Sequence, residues 1–576
     1  MHDAHDAHDA HDAQPPEPSR LPWWRRATVY HVYPRSFADG NGDGIGDLPG
    51  LIDRLDYLRD LGVDALWLSP CFASPQRDFG YDIADHDAIA PEFGTLADLT
   101  RLFREAHARG LKVILDLVLN HTSDEHPWFR ASRDPADPRR AWYLWRPGAR
   151  PGAPPRGAPP SNWKAMIGGS GWHHDPATDT WYWASFLPFQ PDLNYRTPEV
   201  RRAMLDVAAR WLERGADGFR LDIFNALYKD ATFRDNPFSP RPLPSERTPD
   251  GFFQRRLHTS DLPETLTFAA DLRAVCDSFP GHRFLVGEVF GAPSRLRSYL
   301  GGGSAPPGLH TVFNFQTLRT PANASALRRL LVELERDLPS PYLPTWVLGN
   351  HDQIRIMDRL HGDADRMRLL ATVQLTARAL PFIYYGEELG LRGPPIPLAE
   401  ALDPLAARYR FLPDAAAHLL TRLGITLNRD PSRAPMPWTA APGAGFSPPG
   451  VTPWRPLHPD HPRVNVATQH DDPTSLLWHY RRLLHLRRAH PALSLGALVL
   501  REGHPHPRDL LAYRRQHGTD VVEVWLNASD TSHGVPLGGP RRALLTTHGA
   551  GDDVQLLGDH TLFLRPWEGV LLDAAG

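Results

Sequence analysis

Short apolar runs alternate with stretches of helical periodicity over most of the chain. Residues 28–37 predict a first strand. Leu51, Ile52, Leu55, Leu58 and Leu61 then recur at helical spacing, and the run 65–68 predicts a buried second strand. Thr95, with Asp98 three residues on, predicts a helix start, and Gly110 its stop. Residues 113–119 predict a third strand that closes on Asn120 and His121. The alternation breaks over 122–195, an insert carrying Trp128, Trp142, Trp145, Trp163, Trp172, Trp181 and Trp183 and a Pro/Gly/Arg-rich stretch at 146–160. It resumes where Thr197 and Pro198 open a helix that Gly215 ends. Strands follow at 218–222, 283–289, 311–315, 345–348 and 381–385, the one at 311–315 being the weakest. Eight strands alternating with helices predict a (β/α)8 barrel, an α/β fold. Beyond about Leu493 the period changes to two, at 520–526 and 561–564, which predicts a separate antiparallel β-domain. The expected layout is therefore a disordered tail at 1–22, a barrel at 23–121 and 196–492, an inserted domain at 122–195 and a C-terminal β-domain at 493–576.

Composition narrows the function by exclusion. A 576-residue chain with 41% hydrophobic and 23% charged residues has the profile of a soluble protein of two or three domains. A formal charge of −4 gives no electrostatic case for nucleic acid or an anionic membrane, and no apolar run reaches the length of a membrane span. Cys71 and Cys276 are too few for a disulfide framework and fit a reducing compartment. The His-Asp-Ala repeats of 1–13 lack the apolar core of a signal peptide, so a cytoplasmic location is expected. Only three lysines occur, Lys112, Lys164 and Lys229, the other basic residues being arginine. A monomer or small homo-oligomer is expected.

Chemistry enters at the strand ends, which converge on one pocket in a barrel. The register puts Asn120 and His121 at the end of strand three, Arg220 and Asp222 at strand four, Glu288 at strand five, and His351 and Asp352 at strand seven. An Arg–Asp pair on an apolar strand could be structural when taken alone. Three carboxylates, two histidines and an arginine in one cup are too costly to bury for structure only. Two carboxyls in different protonation states are what glycoside hydrolysis requires. Arg220 should hold Asp222 ionised as nucleophile, and Glu288, on the apolar strand of Phe284, Leu285, Val286 and Val289, should keep its proton as acid/base. Asp352 is then free to stabilise an oxocarbenium-like transition state. Separately, Asp39, Asn41, Asp43, the Ile45 carbonyl and Asp47 match the first nine positions of an EF-hand loop, with Gly44 sixth; Gly50 stands at the twelfth in place of Glu. This predicts a structural Ca²⁺ or Mg²⁺, against a plain Asx/Gly turn. No organic cofactor is expected.

The motifs Asp116-Leu-Val-Leu-Asn120-His121, Gly218-Phe-Arg-Leu-Asp222, Gly287-Glu288-Val289 and Asn350-His351-Asp352-Gln353 stand in this order, with Gln190-Pro-Asp-Leu-Asn194 and Arg429-Asp-Pro-Ser-Arg433-Ala-Pro-Met-Pro-Trp438. The chain so resembles glycoside hydrolase family 13, the α-amylase family, in its oligo-1,6-glucosidase and α-glucosidase branch, from about Trp23 to the C-terminal domain. The resemblance implies a retaining, exo-acting α-glucosidase, with Asp222 the nucleophile, Glu288 the acid/base and Asp352 the stabiliser. It also implies a sugar-holding shell of Tyr81, Asp82, His121, Arg220, His351, Gln353 and Arg355, with Asp82 at the non-reducing end. The residue after the nucleophile resembles the branch's linkage discriminator; here it is Ile223, which tilts the expectation toward α-1,6 links or the sucrose isomers isomaltulose and trehalulose. The segment 226–261, rich in proline, departs from the family pattern and is expected to wall the acceptor side.

Three alternatives stay open on sequence. A sucrose isomerase or transglucosylase would use the same covalent intermediate. A trehalose-6-phosphate hydrolase would need a phosphate site, for which three lysines offer no cluster. Non-catalytic, transporter-associated relatives lack the carboxylate set and carry a membrane helix, the reverse of this chain.

Overall fold

The computed structural model describes residues 21–148, 158–303, 305–422, 425–550, 554–556 and 560–574. The His-Asp-Ala repeats, and most of the Pro/Gly/Arg-rich stretch, lie outside the described residues. Eight parallel strands form the central sheet: β1 (Val29–Val32), β2 (Ala65–Leu68), β3 (Lys112–Leu117), β4 (Gly218–Leu221), β5 (Phe284–Gly287), β6 (Thr311–Val312), β7 (Thr345–Val347) and β8 (Leu380–Tyr384). Their hydrogen-bonded order runs β6-β5-β4-β3-β2-β1-β8-β7, with β1 paired to both β2 and β8. The β6–β7 seam is bridged by side chains: Thr311 Oγ1 donates to Leu343 O at 2.6 Å, and Thr345 Oγ1 accepts from Asn314 N at 2.8 Å. β6, a two-residue strand and the weakest in sequence, pairs with β5 along the ladder and is joined to β7 by these side-chain bonds.

Buried Trp67, Ile114, Phe284, Val286, Phe313 and Phe382, from strands and their edges, form one apolar cluster filling the barrel. Outside it, the helix Leu96–Ala108 starts on the Thr95/Asp98 capping box and buries Leu99, Leu102, Phe103 and Ala106. The helix Pro198–Glu213 departs from expectation at its start. Thr197 makes no cap bond; its hydroxyl donates to Ala141 O at 2.6 Å and ties the helix to the insert.

The insert holds a three-stranded antiparallel sheet, with Thr180–Trp183 between Trp145–Arg146 and Trp172–Asp175. Its core is Leu144, Trp163, Trp172 and Trp183. The segment 226–261 packs against it. Asn162 and Asn236 exchange hydrogen bonds at 2.9 and 2.8 Å, and buried Arg256 donates to the carbonyls of Lys164 and Ala165. At the far side Arg247 pairs with Glu333, so the segment spans from the insert to the outer helices. After the helix Leu476–Ala489, a six-stranded antiparallel sheet and a three-stranded one build the C-terminal domain. Fully buried Arg487 joins it to the barrel by donating to Leu375 O, Ala379 O and Leu493 O.

Candidate active site

Two arginines organise the open, C-terminal end of the barrel. Arg220, buried on β4, donates through Nη1 to Asp222 Oδ1 at 2.7 Å and to Asp116 Oδ1 at 2.9 Å, and through Nη2 to Glu288. It lies over the Trp67 ring at 5.2 Å. Asp116 also accepts from Trp67 Nε1 at 3.2 Å and from the Tyr81 hydroxyl at 3.0 Å. Asp222 and Glu288 thus stand side by side on one guanidinium.

The sequence reading had Arg220 holding Asp222 below the ordinary carboxylate range. The structure reverses that direction: burial, opposed by Arg220 and reinforced by Asp116, pushes Asp222 up to about 6. One cation cannot offset the desolvation of three carboxyls. Glu288 goes further, to about 8, through burial and then the charges of Asp222 and Asp352, against Arg220. The order survives the correction. Between these values the pair carries one proton, and Glu288 holds it.

Arg429 is the second hub. It donates to Asp78 at 2.8 Å, to Asp352 at 3.1 Å and to Asp403 at 2.7 Å. Asp352 is therefore held by arginine; its Oδ1 also meets Arg433 at 3.4 Å, and its Oδ2 meets His351 Nε2 at 3.1 Å. Burial opposes its ionisation, but His351, Arg429, Arg433 and Arg220 outweigh burial and hold it well below the usual range. His351 itself is pushed down to about 3 by burial, so the permanent charges are the arginines. With 31% of its side chain exposed, Asp352 still faces the opening.

The remaining predicted residues divide. Tyr81 stacks on His351, centroids 5.3 Å apart at 12°, and floors the site. His121 lies beside it, its Nε2 on Tyr81 O at 3.1 Å and its Nδ1 on Asn120 Nδ2 at 3.3 Å, so both ring nitrogens are engaged. Gln353 is at the rim, near Arg319 at 3.4 Å. Ile223 is buried with φ of 37°, a left-handed conformation costly for a β-branched residue, and its amide donates to Glu288 at 3.3 Å.

Two predicted shell residues are misplaced. Asp82 is fully buried and its carboxylate folds back on its own loop, accepting from Ser74 Oγ and from the amides of Arg77 and Asp78. Asp78 takes the outward position, on Arg429 and on Gln190 Nε2 at 3.0 Å. Arg355 lies under the rings of Tyr384 and Tyr385 and donates to Tyr385 O at 2.9 Å, away from the carboxylates. Arg429 stands on Asp352 and Asp78 instead. Residues missed in the sequence reading are thus Asp78, Asp116, Arg429, Arg433 and Asp403. Asp116, Arg429 and Arg433 sit inside motifs already singled out there; Asp78 and Asp403 do not.

In the loop at 39–47, Asp39 accepts from the amides of Gly42 and Gly44, and Asp47 from those of Gly40, Asn41 and Gly50. Asp43 meets Asn41 Nδ2 and the Ile45 amide. Among the described residues, no three His, Cys, Asp or Glu side chains converge as a metal centre. One observation favours a cation: Asp47 is raised by burial and, despite three amide donors, by the facing charge of Asp39.

The family model for the alpha amylase catalytic domain matches residues 31–496. The chain belongs to the α-amylase family, glycoside hydrolase family 13. Within it the chain falls in the α-glucosidase and oligo-1,6-glucosidase branch. It is 39% identical over 567 residues to a probable alpha-glucosidase of Rhizobium meliloti (strain 1021), covering 96% of this chain and 97% of that one. It is 33% identical over 577 residues to an oligo-1,6-glucosidase of Parageobacillus thermoglucosidasius, with coverage of 95% and 98%. The crystal structure of XgtA, an alpha-glucosyl transfer enzyme, superposes with a TM-score of 0.85 at 36% identity, over 96% of this chain and 100% of that one.

Proposed function

We propose that the protein is a retaining, exo-acting α-glucosidase that hydrolyses short α-glucosides through a covalent glucosyl-enzyme intermediate. The observation that carries this reading is the pair on Arg220, two adjacent carboxyls whose values are pushed apart to about 6 and about 8. Asp222 attacks the anomeric carbon as the glycosidic bond breaks, and Glu288 gives its proton to the departing oxygen. Glu288 then takes a proton from water, whose oxygen displaces Asp222 and releases α-glucose. Asp352 bears on the ring hydroxyls and the developing positive charge. Tyr81, His121 and His351 line the sugar pocket, with Asp78 and Arg429 closing its end.

Ile223, buried and with its amide on Glu288, is the residue we assign to linkage choice, with α-1,6 links and sucrose isomers favoured over maltose. One buried wall residue shifts such a preference by about 1–3 kcal/mol. The test is a product analysis on maltose, isomaltose, sucrose, isomaltulose, trehalulose and trehalose, with the first-formed anomer read by NMR. Free glucose, released first as the α-anomer, is expected. First-formed β-glucose would overturn the mechanism. The likeness to an alpha-glucosyl transfer enzyme favours one second reading, transfer to an acceptor sugar; new glucosides at high acceptor concentration would support it.

We also propose that Asp39, Asn41, Asp43, Ile45 and Asp47 take a structural Ca²⁺ or Mg²⁺, relieving the Asp39–Asp47 repulsion. A cation at about 100 times its Kd adds about 2.7 kcal/mol. The expected result is a Tm a few degrees higher in Ca²⁺ than in a chelator, by calorimetry. An unchanged Tm would leave the loop as a plain turn. Among the described residues no helix is long and apolar enough to cross a membrane. The two buried free thiols, Cys71 and Cys276, fit the cytoplasm as its location.

A further inference from the structure

We infer that Asp403 is a positioning residue for the sugar pocket, acting through Arg429; the inference rests on the α-glucosidase reading above. Asp403 is fully buried on the loop after β8, outside every recognised motif. Its carboxylate takes the side edge of the Arg429 guanidinium: Nε lies 3.1 Å from both oxygens and Nη2 lies 2.7 Å from Oδ1. Oδ2 also accepts from the Arg429 backbone amide at 2.7 Å, which fixes the stem as well as the head. Such a fork is the strongest and most directional bond a guanidinium makes.

The consequence lies in what remains. With its side edge held, Arg429 can offer only single contacts outward, Nη2 to Asp78 at 2.8 Å and Nη1 to Asp352 at 3.1 Å. Those two carboxylates face the pocket, and each keeps oxygen capacity for sugar hydroxyls. Were the side edge released, either could take the fork and lose that capacity, Asp78, already on Nη2, being the nearer rival. Asp403 is itself held from behind. Asp430, buried and paired with Arg455, accepts from the amides of Leu402 and Asp403 at 2.7 and 3.3 Å. Asp403 thus sets the geometry of the pocket from behind Arg429.

The experiment is Asp403→Asn in the full-length protein, with kcat, KM, glucose dissociation constant by calorimetry and Tm. Loss of one charge-assisted contact predicts KM and the glucose dissociation constant both raised about 10–100-fold, with kcat changed far less. Asp403 also caps the short helix Pro404–Ala407, so a Tm decrease alone is uninformative about positioning. Asp403→Ser, which keeps a capping oxygen and has no carboxylate, is the second variant. Both variants keep a capping oxygen, so it should match Asp403→Asn in raised KM and weakened glucose binding, with any Tm loss common to both reporting the lost partner of buried Arg429 rather than the cap. Glucose affinity unchanged in either variant overturns the inference, whatever happens to Tm. A wild-type protein that turns over no α-glucoside overturns the underlying reading, and this inference with it. Wild-type turnover with unaltered variants overturns the inference alone.

Discussion

Asp222→Asn is expected to abolish turnover, lowering kcat on any α-glucoside by about 10⁴-fold or more, the scale of losing a covalent nucleophile. The amide nitrogen cannot form the glucosyl ester, and the amide oxygen carries no charge to offset the developing oxocarbenium ion. The protein should still fold. Arg220 keeps Asp116 at 2.9 Å and Glu288 on its other nitrogen, so no buried cation is stranded. Removing the Asp222 charge also relieves a repulsion that contributes to the raised value of Glu288. The Glu288 carboxyl should therefore titrate closer to its ordinary range in the variant. Initial rates of glucose release and a thermal melt check both halves. Activity within tenfold of wild type would sink the assignment, as would a gross loss of fold.

The barrel was readable because burial and periodicity write the same message. Ala65–Leu68 is uniformly apolar since both faces of a barrel strand are covered, and the observed strand has those bounds. Asp222 and Glu288 were readable because a charge directly after such a strand has only the pocket to enter. Two kinds of information were not. The direction of the Asp222 shift depends on how many carboxyls share Arg220, and Asp116, on a strand of its own 104 residues away, is invisible to a local reading. The choice between Asp78 and Asp82 depends on a turn: Gly80 and Phe79 both have positive φ, and the loop they make swings Asp82 inward onto its own amides. Sequence spacing of four cannot say which carboxylate a turn buries. Arg355 enters the expected shell through the family resemblance, whereas Arg429 reaches Asp352 across 77 residues of sequence, a pairing that only the fold brings about.

The values of about 6 and about 8 fix the sign of the pH dependence. Asp222 must be ionised to attack, so kcat/KM should fall as pH drops below about 6. Glu288 must be protonated to free the leaving sugar, so the rate should fall again as pH rises above about 8. These are values of the pair, and the optimum lies between them near neutrality. Glu288→Gln removes the alkaline limb, because the amide neither gives nor loses a proton there. Its cost should depend on the leaving group. A disaccharide needs protonation of an alkoxide and should lose about 10²–10⁴-fold in kcat/KM. A 4-nitrophenyl α-glucoside departs without a proton, so its kcat/KM, which reports the first step, should stay within about tenfold. Its kcat should fall more, since deglucosylation still needs Glu288 as base. Equal losses for both substrates, or an alkaline limb that persists in Glu288→Gln, would move the acid/base role to another residue. Asp352 is not a candidate, since the arginines keep it ionised throughout this range, and Asp116 is the other carboxyl of the site that burial pushes up, to about 6. Asp116, fully engaged by Arg220, Trp67 and Tyr81, has no free edge toward a leaving group. The leaving-group contrast therefore isolates Glu288 with the pocket otherwise intact.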